Sequence, residues 1–264
     1  MTFTGINPEL AIASNVKEQA YPALQVNNYK PRTKDEEISF CLSESSLDLI
    51  NPNSNLLETK ITNCIYGREE VLMHEIVSDV RWVFLNIPRI FIQDKTTKEI
   101  SFPQKGVKLF GTNKVTVAKC FLACLVGDEL ILDIEGEPQI FTLKLTSSKT
   151  QLIGYQNSSD KSILSLNREI QKHFKTKDNL VHLVSVNLEA KPKEFVSNHT
   201  GDSSLGVLYK LSGNAKVLNP QQQQQIFDLV NSEEIQSLFD DPFGLKQSST
   251  HNEEIYSNDS DIDF

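Results

Sequence analysis

No apolar run in the 264-residue chain approaches the roughly eighteen residues of a membrane-spanning helix, which excludes a helical anchor. The opening stretch MTFTGINPELAIASN lacks a charged region and a continuous apolar segment, so no secretory leader is expected. Cysteine is scarce, with four residues in no scaffold spacing, and this fits reduced thiols in a cytoplasmic compartment. The glycosylation-type triplets at Asn157, Asn198 and Asn258 are then read as chance. Glycine-rich phosphate loops are missing, as is any His-Glu-x-x-His motif; His74, His173, His182, His199 and His251 are scattered. No catalytic residue, metal ligand or cofactor is therefore assigned, and an enzyme is not expected.

What remains is an ordinary globular composition, 39% apolar and 23% charged, long enough for one large core or two modest ones. The net charge of −9 is unevenly placed. Residues 233–264 hold nine acids against Lys246, so the tail is −8 and the body only −1. Within the body, 89–119 and 144–177 each carry seven bases against two acids, while 128–137 holds five acids and no base. Segregation of this kind supplies a basic groove if the segments converge, and merely solvated strand faces if they do not.

Proline at positions 8, 22 and 31 marks residues 1–35 as an arm, with a short strand at 23–27. A β-rich globular domain is expected over 36–240. Residues 38–42 alternate like a strand, 51–55 form a turn cluster, and 69–78 suit either helix or strand. From Val80 to Gln93 the chain is β-rich around Pro88, which demotes that point to an edge or bulge. A turn at 95–98, a return strand at 99–102, a basic loop at 103–113, a long strand at 115–126, and strands at 130–134 and 140–145 complete an antiparallel meander. A helix capped by Asp160 follows, with Ile163, Leu166, Ile170 and Phe174 at helical spacing. Then come a strand at 180–188, a sixteen-residue loop at 189–204 and a last strand at 205–211. Asn219-Pro220 opens a helix over 220–239 whose stripe is Ile226, Phe227, Val230 and Ile235. Phe174 and Phe227 are assigned to helix–core packing. The class is α+β, mainly antiparallel β. Strands, one helix and two strands is the order of an OB-like barrel, placed at 76–212 with extra N-terminal strands. An α+β roll or a small sandwich with helices gives the same string. Residues 241–264 are expected to be a disordered acidic tail.

The chain ends Asp259-Ser260-Asp261-Ile262-Asp263-Phe264. Phe264 places a ring and an α-carboxylate on one residue, so a partner can bury the ring and clamp the carboxylate while the aspartates steer the encounter. This ending resembles the acidic tip of bacterial and phage single-stranded DNA-binding proteins, in which an OB core precedes a flexible tail, an acidic run and a terminal Phe. Asp259, Asp261 and Asp263 match the acidic positions and Ile262 and Phe264 the apolar ones. The bacterial penultimate proline is replaced by Asp263, closer to the looser phage form, and the resemblance spans the last six to ten residues. It implies a tail that recruits replication, recombination or repair proteins and competes with DNA for a basic groove.

Single strands are held by cations beside aromatic faces. Candidates are Lys105, Lys108, Phe110 and Lys114 on the basic loop, Lys191, Lys193 and Phe195 on the 189–204 loop, and Arg89. Trp82, Phe84 and Phe91 lie within strands, where core packing is the commoner fate. The partner would be single-stranded DNA in preference to RNA, with a homo-oligomer allowed. The alternative is an adaptor whose β-rich body binds other chains. A third reading gives Asp133 and Glu135 a divalent ion for phosphoryl chemistry, against the commoner role of hairpin acids. Cys120 and Cys124, four apart with no second pair, are read as buried thiols.

Overall fold

The computed structural model describes residues 21–28, 33–66, 69–103, 112–146, 181–196 and 203–245. The expected helix after Asp160, the loop residues Lys105, Lys108 and Phe110, His199 and the acidic tip lie outside the described residues.

The described chain is mainly β, one mixed sheet curled into a half-barrel, with helices at its C-terminal end. Its strands are β1 (Ala23–Val26), β2 (Phe40–Ser43), β3 (Leu57–Tyr66), β4 (Glu69–Ile76), β5 (Val80–Phe84) and β6 (Ile90–Asp94). There follow β7 (Ile100–Ser101), β8 (Lys114–Val126), β9 (Glu129–Leu130), β10 (Phe141–Thr146), β11 (Val184–Val196) and β12 (Ser203–Val217). A single turn of helix, α1 (Glu44–Leu47), follows β2, and α2 (Pro220–Val230) and α3 (Glu233–Asp240) end the described chain. The main path of the sheet runs β12-β11-β5-β8-β10-β1-β2-β4-β3, with β6 and β9 attached beside β8 and β7 beside β6. The N-terminal strands join through β1, which pairs parallel with β10. Among the described residues no helix is long and apolar enough to cross a membrane.

β8 is the axis. β10 pairs along one side, and β6 then β5 share the other, at 114–118 and 122–126. Pro88 falls in the gap between β5 and β6, where a missing N–H does least harm. Asn86 bridges that gap: its Oδ1 accepts from Phe121 N at 2.9 Å and its Nδ2 donates to the Lys119 carbonyl at 3.3 Å. Because both faces of β8 are covered, its sequence is nearly continuous apolar rather than alternating. Ala118, Cys120, Leu122 and Cys124 face the concave core with Trp82, Phe84, Phe141 and Leu143. Trp82 and Phe84 are thus core residues, as is Phe91 on the other face. The curl brings β12 back toward β2, where Tyr209 stacks on Phe40 with centroids 5.7 Å apart.

Phe121, Ala123 and Leu125 face outward beneath α2 and α3, against Ile226, Val230 and Ile235. The caps follow the sequence: Asn219 and Gln222 form a reciprocal capping box with Pro220 in the first turn. Gln222 also donates from Nε2 to the Asp128 carbonyl at 2.7 Å, tying α2 to the turn after β8. Two expectations need correction here. The single helix over 220–239 is two, because Ser232 caps a second start by accepting from Ile235 N at 3.3 Å. Phe227 is not in the core but 51% exposed, since it lies a hundred-degree step round the helix from the buried Ile226.

The turns match their chemistry. Gly127 and Gly136 adopt φ of +61° and +88°. Asp133 Oδ1 accepts from the backbone N–H of Glu135 and Glu137 at 2.9 and 3.0 Å, so this carboxylate holds a hairpin turn. The strand expected at 130–134 is shorter, leaving Ile134 exposed beyond an isolated Leu132–Pro138 bridge.

Candidate nucleic-acid interface

The largest departure from the sequence reading bears directly on the candidate site. The expected loop over 189–204 is for the most part strand: β11 runs on to Val196 and pairs residue for residue with β12 back from Ser203. Pro192 does not end the strand, and Gly206, Gly213 and the lysines do not break its partner. Two long strands close a two-stranded arm, whose ladder outweighs the weak β-propensity of those residues.

Strand periodicity then sorts the arm by face. Val184, Val186, Leu188 and Ala190 of β11, with Val207, Tyr209 and Leu211 of β12, point into the concave core. Lys191 and Lys193 point the other way, and so do Lys210, opposite Glu189, and Lys216, opposite Ser185. Phe195 lies in the same ladder opposite Ser204, in a strand rather than a loop. The neighbouring β5 adds Arg81 to this convex side. Its guanidinium donates from Nε to Ser185 Oγ at 3.0 Å, from Nη1 to Asn187 Oδ1 at 2.9 Å, and from Nη2 to the Ser185 carbonyl at 2.8 Å.

Among the described residues Arg81, Lys191, Lys193, Lys210 and Lys216 thus share one face, with Glu189 and Asp128 among their acidic neighbours. Glu189 pairs with Lys191 at 2.6 Å, and Asp128 with Lys216. Burial, and after it the charge of Lys210, hold the Lys193 ammonium below its usual pKa. The bond and charge of Lys216, with Arg81 behind, hold the Asp128 carboxyl below its usual range. Arg81, Lys210 and Lys216 were missed by the sequence reading. The signal that could have found them was the spacing of two between Lys191 and Lys193, which shares a face only if the segment is a strand.

The remaining candidates sit elsewhere on the sheet. Lys114 opens β8 opposite Asp94 of β6. Arg89, exposed between β5 and β6, reaches Asp240 at 3.5 Å. The two basic segments of the sequence do meet, where Lys119 of β8 lies directly opposite Lys144 of β10. The cysteines Cys41, Cys120 and Cys124 are buried, and burial pushes the Cys120 and Cys124 thiols far above their ordinary pKa.

Comparison of the chain with family models, with curated proteins and with solved structures gives no match.

Proposed function

We propose that this chain is a non-enzymatic, OB-like single-stranded nucleic-acid-binding protein, DNA by preference, whose acidic C-terminus recruits replication, recombination or repair proteins. The observation that carries the reading is the cationic convex face of the β11–β12 arm: Arg81, Lys191, Lys193, Lys210 and Lys216 on one surface of a protein whose net charge is −9. A surface this locally basic in an acidic chain attracts a polyanion. The Arg81 guanidinium, held by Ser185 and Asn187, adds a fixed positive charge to that face. Affinity of this kind comes from phosphate contacts and weakens steeply with salt. The terminal Asp259, Asp261, Ile262, Asp263 and Phe264 supply the partner-binding tip.

The test is fluorescence anisotropy with a labelled single strand of roughly thirty nucleotides, about two OB-type footprints. The full chain is compared with a truncation after Leu245, which keeps every described element. Expected is binding by both, weakened by salt, and tighter without the tail. Absence of binding at low salt by either form overturns the reading.

A further inference from the structure

After α3 the chain does not leave the sheet. Asp241 Oδ1 accepts from Leu245 N at 2.8 Å, and Gly244, at φ +67°, closes a tight turn onto the Asp241 carbonyl. This turn lays residues 240–245 as a strap across the convex face beside β6, β8 and β10. Phe243 and Leu245 pack on Phe91, Val115 and Val117. The Phe243 ring meets Phe91 edge-on at 5.1 Å, and Phe102, 47% exposed, lies 5.3 Å from Phe91 on centroids. The ammonium groups of Lys119 and Lys144 stand 6.0 and 5.9 Å from the centre of the Phe243 ring. One step back, Asp240 sits 3.5 Å from the Arg89 guanidinium.

An acid on a guanidinium, followed within three residues by a ring set against an aromatic wall and under two ammonium groups, is the arrangement a nucleotide would need. The phosphate takes the place of Asp240 and the base the place of Phe243. We infer that Arg89, Phe91, Phe102, Lys119 and Lys144 form a binding site for an unstacked nucleotide of a single strand, occupied in the unliganded protein by the chain's own strap. The inference rests on the nucleic-acid reading above. It differs from it in surface, because the patch lies apart from the β11–β12 arm, and in the occupant, which is the 240–245 segment and not the terminal tip. The strap is replaceable. Its ion pair has both partners more than half exposed, which makes it a weak tether, and its ring contacts are the kind a base reproduces.

The experiment uses the full chain. The combined substitution Asp240→Asn with Phe243→Ala removes the charge and the ring that fill the site, and leaves the residues that pack α2 and α3 on the sheet unchanged. Anisotropy with the same labelled strand should show binding about tenfold tighter than the unaltered chain, the equivalent of one additional stacked base. Adding Lys119→Glu should erase that gain. In the unaltered chain, hydrogen exchange at residues 241–245 should speed up when the strand is added. Unchanged or weaker binding by the double variant overturns the strap-covered site, as does slowed exchange of the strap on binding, and in both cases the arm-based reading stands. If the double variant does not fold, the exchange measurement decides. Absence of binding by the unaltered chain overturns both readings together.

Discussion

Replacing Arg81 with Ala tests how β11 is held to the rest of the sheet. Among the described residues one register pair, Val186 with Trp82, joins β11 to β5, so the ladder there is thin. The guanidinium supplies three further bonds across the same seam, to Ser185 Oγ, Asn187 Oδ1 and the Ser185 carbonyl. Ser185 is 1% exposed, so its oxygens lose donors that water does not easily replace. A bond from a charged donor contributes about 1.5–3 kcal/mol when buried, and partial exposure of Arg81 brings each nearer 1 kcal/mol. Arg81→Ala should therefore cost about 2–4 kcal/mol. Arg81→Lys keeps the charge but loses the planar fork, and should cost somewhat less, about 1–3 kcal/mol. Urea unfolding followed by far-ultraviolet circular dichroism is the assay. With a slope of about 2–3 kcal/mol per molar, the midpoint of Arg81→Ala should fall by about 1 M at unchanged slope. A loss below about 0.5 kcal/mol, the level of an ordinary surface substitution, would show that the seam does not depend on this side chain.

Charge reversal on the arm, Lys191→Glu with Lys193→Glu, should weaken single-strand binding and flatten its salt dependence by about 0.7 in logarithmic slope per lost phosphate contact; an unchanged slope puts the strand elsewhere. Ile226→Ala should destabilise by about 2–5 kcal/mol, since the side chain is fully buried against the outer face of the sheet. The adjacent Phe227→Ala should cost under about 1 kcal/mol in the same denaturation assay. Cys120 and Cys124 set an alkaline limit. Their folded-state pKa values are raised by burial, so the unfolded chain releases protons first as pH passes about 8.5. Stability from these two thiols is intact below that pH and should fall above it by up to about 2.7 kcal/mol per pH unit, measured as a declining urea midpoint. Tyr21, pushed up to about 12 by burial and by Glu234, joins the decline above about pH 10. A flat profile between pH 8.5 and about 10 contradicts the buried-thiol assignment.

Local signals were legible in the chain. Strands β1, β2, β5, β6, β7, β8 and β10 follow from alternation or apolar runs bounded by turn residues, within a residue or two at most ends. The helix start at Asn219-Pro220 was equally readable, because a cap depends on a few neighbouring residues, while the reciprocal bond from Gln222 came only with the structure. Pro88 was legible as a disturbance of the strand through its missing N–H, read as an edge or bulge, and the structure places it between two strands. Lys191, Lys193 and Arg89 were legible as cations, but not their surroundings.

Composition and local pattern alone thus determined a β-rich chain, its turns, the start of its C-terminal helix and the concentration of net negative charge in the last thirty-two residues. Tertiary structure decided three things. It turned 189–196 and 203–204 into strand, because ladder pairing across the arm overrides the low propensity of Pro192 and the lysines. It joined the N-terminal strands through a parallel β1–β10 pair, a contact between segments more than a hundred residues apart that no local pattern announces. It also gathered Arg81 with Lys210 and Lys216, set Lys119 and Lys144 over the Phe243 ring, and brought Arg89 to Asp240. A face is a property of register, and register is fixed where strands meet.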